Sequence, residues 1–424
     1  MKKLLFLGID TTTADAFAYA KSKGVYTIIS DYLDQNSSPL KAQADEFWQL
    51  DVKDLDTLEQ RCRKADVTHI YAGSHETCVD SYKMLCERLG IPFYASEEGW
   101  KASRDKEIFK EYCVKVGLDV PRKYWIGGYP PEDVFNQIAF PVIVKPNDGC
   151  AKRGITIVSR TEDLLPAVES AFAHSDQKKI IIEEYVEGYQ VTVFCYIENG
   201  NLHYIDAMID LGCEVDGKNG FGLGIHHSQY DTEIENNLMP LYEKMIQEMN
   251  CRHGTIFFQS ILRDHKFYNL EIGYRLDGIG SWKHIERQCG FNQLKLMVDL
   301  ALQEADEDTL AKIDSNPPAE ICAYSMIWEK PGQICSIGGK EELYSRRDVV
   351  VQWDRFRQGD TIPDTDDMTA IALIIEVFGT SMYEIGEKLK EINRMIHYYD
   401  EGGNDLLIYN EQLFEKWEAF LQQA

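Results

Sequence analysis

The chain has 424 residues, more than one hydrophobic core usually serves, with 44% hydrophobic and 27% charged residues, so two or three folded units are expected. A formal net charge of −26 excludes a surface built for nucleic acid or anionic membrane, which needs clustered Lys and Arg, but leaves room for a small anionic ligand in a local basic site. No apolar run approaches the ~18 residues of a membrane span. The eleven cysteines form no CxxC pair and no zinc-ligand spacing, the usage of free thiols in a reducing cytoplasm.

The opening apolar run stops at Asp10, too soon for a secretory leader, and KKLLFLGI reads as a short buried strand. TTTADAFAYAKSKG follows as a helix, with Ala14, Phe17, Ala18 and Lys21 at helical spacing and Gly24 as its stop. The turn GIDTTTAD has one glycine where a dinucleotide fold needs G-x-G-x-x-G; a helix capped by Thr or Asp is expected, with no nicotinamide or flavin site. VYTIISDYL is a second strand, LDTLEQRCRKA a helix, VTHIYAGS a strand and ETCVDSYKMLCERLG a helix closed by Gly90. This alternation predicts a parallel, doubly wound sheet over residues 1–95.

From Ser96 the pattern changes. SRDKEIFKEYCVKVG predicts one amphipathic helix stopped at Gly117. Lys106 near its start opposes the helix dipole, so a phosphate or water must compensate it. FPVIVKP is a β-branched strand that delivers Lys145. In the loop NDGCAKRG, Gly149 and Gly154 flank Lys152 and Arg153. An anion cradle of backbone N–H groups and an ordinary hairpin loop with surface cations both use these residue types. A strand follows, not Lys and a helix, which excludes a P-loop. Cys150 has no neighbouring His and reads as a small side chain rather than a nucleophile.

KIIIEEYVEG is a strand running into Glu183, Glu184, Tyr185, Val186 and Glu187, with Gln190 beyond. Such a segment is either a backbone edge for an adenine, with Glu187 or Gln190 on ribose hydroxyls, or a solvated acidic loop. YQVTVFCYIENGNLHYIDAMI predicts a hairpin about Asn199-Gly200, and GTIFFQSILRDHKFYNLEIGYR a second. A three-residue loop over residues 264–266 would set Arg263 opposite Phe267 and Gln259 opposite Glu271. Ile256, Phe258, Leu262, Tyr268, Leu270 and Ile272 would then form one face. Gln259, Glu271, Gly273 and Arg275 form the other, either a solvated sheet face or the floor of a site. His226, His227 and His253 lack metal-ligand spacing and receive no role. Further on, ICAYSMIWEKPGQICSIGG predicts a hairpin about Pro331-Gly332, DVVVQW and TAIALIIEVFG strands, and SMYEIGEKLKEINRMI a helix with Ser381 and Glu384 as capping box and Ile385, Leu389 and Ile392 as its stripe.

These pieces, in this order, resemble the ATP-grasp superfamily over nearly the whole chain. The resemblance implies an α/β architecture: a doubly wound parallel-sheet domain over 1–95, an ATP-grasp domain of two α+β lobes over 96–305 (small lobe about 110–185), and a closing α+β lobe over 306–424. It implies Lys106 of DKEIFK and Lys145 of PVIVKP as phosphate lysines. Gly149, Lys152, Arg153 and Gly154 belong to the loop that closes over the β- and γ-phosphates. Glu183, Glu184, Tyr185 and Val186 match the adenine hinge, and Glu187 or Gln190 the ribose contact. LEIGYR is similar to the signature E-x-N-x-R, making Glu271 a ligand of Mg²⁺, with Mn²⁺ the alternative ion, and Arg275 the catalytic partner of an acyl phosphate. Two positions depart: Gln259 stands where relatives carry Asp or Glu, and Gly273 where they carry Asn. Gln259 still offers a carbonyl oxygen, a hard ligand that suits magnesium; Gly273 offers none.

The implied activity is an ATP-dependent, ADP-forming ligase that activates a carboxylate as an acyl phosphate and couples it to an amine or thiol. Its partners would be small-molecule carboxylates and amines, in the cytoplasm, with a homodimer as an open option. The two departures keep a non-catalytic ATP-binding protein as an alternative. A carboxyphosphate-forming, carboxylase-like enzyme is another, although no biotin-carrier segment is present.

Overall fold

The strand Lys3–Leu7 is apolar on both sides because both sides are covered. It pairs in parallel with Tyr26–Asp31 and His69–Tyr71, and Glu46–Gln49 lies beyond Tyr26–Asp31. Leu5 and Leu7 enter a core with Trp48, Leu58 and Leu85. Leu4 and Phe6 enter another, with Phe17 of the helix Thr13–Ser22 and Leu294, Met297 and Val298 of the distant helix Gln293–Ala301. The expected doubly wound sheet is present. The computed structural model describes residues 1–147, 154–215, 218–220, 222–226, 228–305, 320–364, 370–408 and 411–422.

The first helix is rotated from its expected face: Thr13, Ala16, Phe17 and Ala20 are buried, while Ala14, Ala18 and Lys21 are exposed. Its N-cap, Thr12, makes no side-chain capping bond. Asp10 replaces that cap, accepting from the N–H groups of Thr12, Ser74 and His75 and so tying two strand ends together.

The single helix expected after Ser96 is two, Glu97–Arg104 and Lys106–Val116. Asp105 between them is extended, and its carboxylate accepts from the N–H groups of Glu107 and Ile108. A capping aspartate restarts the helix, with Lys106 in its first turn. A four-stranded antiparallel sheet follows, in the order Lys123–Gly127, Ile180–Glu184, Val142–Pro146, Thr156–Val158, and the helix Thr161–Ala173 packs against it.

The large sheet is antiparallel and eight-stranded. Its order is Lys266–Gly273, His253–Arg263, Tyr189–Glu198, Asn201–Asp210, Leu223–His226, Ile321–Trp328, Ile371–Gly379, Val349–Asp354. The first expected hairpin forms through Asn199 and Gly200, both at positive φ. The second forms by a different path. Its loop has two residues, Asp264 and His265, both at positive φ, and Arg263 pairs with Lys266 rather than Phe267. A bulge at Leu270 then shifts the register back, so that Gln259 faces Glu271 after all. The inner face changes at the bulge: Phe267 and Asn269 are buried before it, Ile272 after it, and Tyr268 and Leu270 stand half-buried on the other side. Asn269 is satisfied there by the Tyr242 hydroxyl, which donates to its Oδ1 at 2.7 Å.

The hairpin about Pro331-Gly332 does not form. Ile321–Trp328 is buried along nearly its whole length and takes a central place between Leu223–His226 and Ile371–Gly379. Gly332–Gln333 pairs with Thr361–Ile362 instead. The helix Met382–Met395 is capped by Ser381, Glu384 reaches back to Thr380 N–H, and Ile385, Leu389 and Ile392 are buried. Among the described residues, no helix is long and apolar enough to cross a membrane, and the described cysteines are free thiols.

Glu329, just past the strand Ile321–Trp328, is buried, and neither carboxylate oxygen has a hydrogen-bond partner among the described residues. Burial, with Asp405 adding and Lys340 opposing, pushes its carboxyl up to about 9. A folded-state value raised above the unfolded one favours the fold at low pH and is lost as pH rises through about 9. Glu329→Gln is therefore expected to match the wild type near pH 4 and to be more stable by on the order of 2 kcal/mol at pH 8, in thermal melts across that range. A gap independent of pH would contradict this.

Candidate functional site

The polar face of the large sheet meets the small sheet across a cleft, and the helix Lys106–Val116 touches both sides. Toward the large sheet, Lys106 Nζ lies 2.9 Å from Glu271 Oε2. Burial opposes the charge on both groups. Glu271, with Glu76 and Glu183, nevertheless raises the Lys106 ammonium above its ordinary value. Lys106, Lys145 and Arg275 hold the Glu271 carboxyl below the usual range. Glu271 keeps 40% of its side chain exposed, enough for an ion to reach it. Gln259 lies opposite, its Nε2 3.4 Å from Thr192 Oγ1.

One turn further along the same helix, Lys110 meets Glu183, whose other oxygen accepts from Lys145 Nζ. All three are buried. Burial raises the Glu183 carboxyl, but the two ammonium groups outweigh it and hold it at about 2. Lys110 is pushed down to about 8 by burial and by the neighbouring Lys145. The Glu183 side chain is thus committed to the lysines, and only its backbone remains for other contacts. Lys110 escaped the reading of the sequence, although it stands four residues after Lys106 on the same helical face.

Arg275 follows the floor strand. Its Nη2 lies 2.8 Å from Glu76 Oε1, its Nη1 donates to Leu276 O, and the guanidinium stacks 5.2 Å over the Phe257 ring. Glu76 opens the helix Glu76–Leu89. Burial raises its carboxyl, while Arg275 and Arg104 bring it below the ordinary value. Phe257 pairs with Gly273, and a Cβ there would sit 2.0 Å from Phe257 Cζ. Glycine is required by a ring, and the position resembling the family's Asn is filled by Phe257. Neither Glu76 nor Phe257 carries a local sequence signal.

Of the other candidates, Glu184 is held by Arg263 at 3.3 Å, Tyr185 N–H donates to Pro141 O, and Val186 is buried. Glu187 is exposed and Gln190 half-buried at the start of Tyr189–Glu198, opposite Asp210 and Ile261. Gly154 is at positive φ, with His174 packed where a side chain would go. Gly149, Cys150, Lys152 and Arg153 lie outside the described residues, as does His227. The donor set fits magnesium in kind, a carboxylate and an amide oxygen side by side on one sheet face, with a single carboxylate between them.

A family model described as D-ala D-ala ligase C-terminus matches residues 128–216. The D-alanine–D-alanine ligase of Halalkalibacterium halodurans is 26% identical over half of this chain and 67% of its own length. That of Phocaeicola vulgatus is 42% identical over 15% of this chain, spanning only 19% of that ligase. Two solved structures share the fold nearly end to end. An L-amino acid ligase from Bacillus licheniformis has TM-score 0.78 and 17% identity over 95% of this chain and 99% of that one. A biotin carboxylase from Campylobacter jejuni, in complex with a β-γ-ATP, has TM-score 0.76 and 15% identity over 100% of this chain and 96% of that one. The chain belongs to the ATP-grasp superfamily. In this ATP-grasp protein the small sheet and the large sheet are the two jaws, and the lysines and acids described above line the space between them.

Glu183→Gln leaves two buried ammonium groups facing a neutral amide. It is expected to cost about 3–5 kcal/mol in urea denaturation at pH 7. The wild type should also lose stability as pH falls from about 4.5 toward about 2, because a depressed carboxyl stabilises only while ionised. The variant should lack that limb. Gly273→Ala is expected to cost about 1–3 kcal/mol through collision with Phe257, and Phe257→Ala in the same chain should recover part of the loss. Strict additivity of the two changes would contradict the close contact.

Proposed function

We propose that the protein is an ATP-dependent, ADP-forming ligase that activates a small-molecule carboxylate as an acyl phosphate and couples it to an amine or thiol. The observation that carries this reading is the pairing of each cleft cation with an internal acid. Lys106 rests on Glu271, Lys145 on Glu183 and Arg275 on Glu76. Such pairs can exchange partners: Lys106 turns from Glu271 to a triphosphate, which frees that carboxylate, and Arg275 turns from Glu76 to a dianionic group that its fork suits. Lys145 stays anchored by Glu183 and meets the phosphates at a fixed place. Glu271 and the Gln259 oxygen would hold Mg²⁺ or Mn²⁺, which when bound neutralises charge on the β- and γ-phosphates.

The adenine would lie along residues 184–186, the ribose at Glu187 or Gln190, and the loop over residues 149–154 would exclude water. A carboxylate oxygen attacks the γ-phosphorus and ADP leaves. The amine or thiol then attacks the acyl carbon, phosphate leaves, and the proton of the nucleophile is released. Positioning and charge stabilisation supply the acceleration. Relatives named for joining amino acids make amino acids the first carboxylates to test, and free thiols suit a reducing cytoplasm.

A second reading, nucleotide binding without turnover, is favoured by Gln259 in place of an acid and by the ring of Phe257 over Gly273. ADP release from ATP with paired carboxylates and amines, and with bicarbonate alone, separates the readings. Amine-dependent release is expected, falling at least ~100-fold in Glu271→Ala and unchanged in Tyr383→Ala, an exposed position far along the chain. Tight nucleotide binding with no release from any pair supports the second reading, and release driven by bicarbonate alone supports the carboxyphosphate reaction.

A further inference from the structure

The polar face of the large sheet does not end at the cleft. Gln259 pairs with Thr192, Thr192 with Met208, and Met208 with His226, so His226 projects from the same face as Gln259 and Glu271, three strands on from Gln259. There a second set of ligand-type side chains gathers: Asp206, His226, Cys322 and Glu376 from four neighbouring strands, and His284 from the helix Trp282–Cys289. All five are at most 2% exposed.

Both imidazoles are anchored through Nδ1 by a carboxylate. His226 Nδ1 lies 2.5 Å from Asp206 Oδ2, and His284 Nδ1 lies 2.5 Å from Glu376 Oε1. Gln352 Nε2 in turn donates to Glu376 Oε2 at 2.7 Å. Carboxylates placed in this way fix the orientation of metal-ligating histidines. The outer nitrogens are what such anchoring presents. His284 Nε2 is 3.1 Å from Asp206 Oδ2, and His226 Nε2, fully buried, has no hydrogen-bond partner among the described residues. One ligand atom each from His226, His284 and Cys322 lies within 4.8 Å of the others.

We infer that His226, His284 and Cys322 form a site for a divalent transition-metal ion of the zinc type, with Asp206 at hand as an oxygen donor. Two imidazoles and a thiolate select such an ion over magnesium, which prefers oxygen. Binding replaces the Cys322 thiol proton, which is released to solvent. The ion would fasten the helix Trp282–Cys289 to the sheet. That helix begins seven residues after Arg275, so the site fixes the segment behind the cleft without contributing to it. The inference is independent of the ligase reading.

The test uses the full chain without an affinity tag, stripped by chelator and titrated with Co²⁺. One equivalent should bind, with ligand-field absorption and a thiolate-to-cobalt charge-transfer band, and Zn²⁺ should displace it and raise the Tm. Cys322→Ser should lose the charge-transfer band, and His226→Gln should weaken binding at least ~10-fold. Glu271→Ala, which disables only the proposed magnesium site, should bind Co²⁺ as the wild type does. A folded wild-type chain that takes up no stoichiometric Co²⁺, or a charge-transfer band that survives in Cys322→Ser, would overturn the site and leave a closed hydrogen-bond network in its place.

Discussion

The cleft depends on one buried carboxylate. Glu183 sits in an interior strand of the small sheet with Lys110 and Lys145 on its two oxygens. Two ammonium groups cannot be held close together out of water unless something negative lies between them. Glu183 supplies that charge from within the fold, so the cations stand ready before any anion arrives. The helix Lys106–Val116 extends the arrangement: successive turns send Lys110 to the small sheet and Lys106 to the floor acid Glu271. A chain of net charge −26 thereby maintains a local site for an anion, because each cation is matched internally.

Much of this was legible in the sequence, and the failures have physical causes. Strand and helix alternation gave the parallel sheet, since apolar runs and glycine stops are local signals. Lys106, Lys145, Glu271 and Arg275 stood out because each lies at an element end or on one parity of a strand. Lys110 did not, because a lysine on a helix reads as solvated until the strand that buries it is known. Glu76 and Phe257 needed the tertiary structure outright: one reaches Arg275 from 199 positions earlier, the other only from across a strand pair. His226, His284 and Cys322 show no spacing because a sheet face, not a loop, assembles them. At Pro331-Gly332 the turn signal was local, but the demand of Ile321–Trp328 for strands on both edges prevailed.

The floor hairpin shows how a correct pairing can come from an incorrect turn. The sequence parity required Gln259 opposite Glu271, and a three-residue loop would have provided it. The protein uses a two-residue loop and a bulge, which reach the same pairing while turning Asn269 inward to Tyr242 and leaving Tyr268 for Arg263 to stack on. Bulges commonly re-aim side chains beside functional sites, and here the shift falls immediately before Glu271.

The first strand has a debt to the middle of the chain. Leu4 and Phe6 are sealed by Leu294, Met297 and Val298, nearly three hundred residues downstream. During synthesis, then, the opening sheet waits with one greasy flank uncovered until the helix Gln293–Ala301 has left the ribosome. A fragment truncated near residue 95 would keep that flank bare permanently and tend to clump, so the amino-terminal third is completed only by its successor.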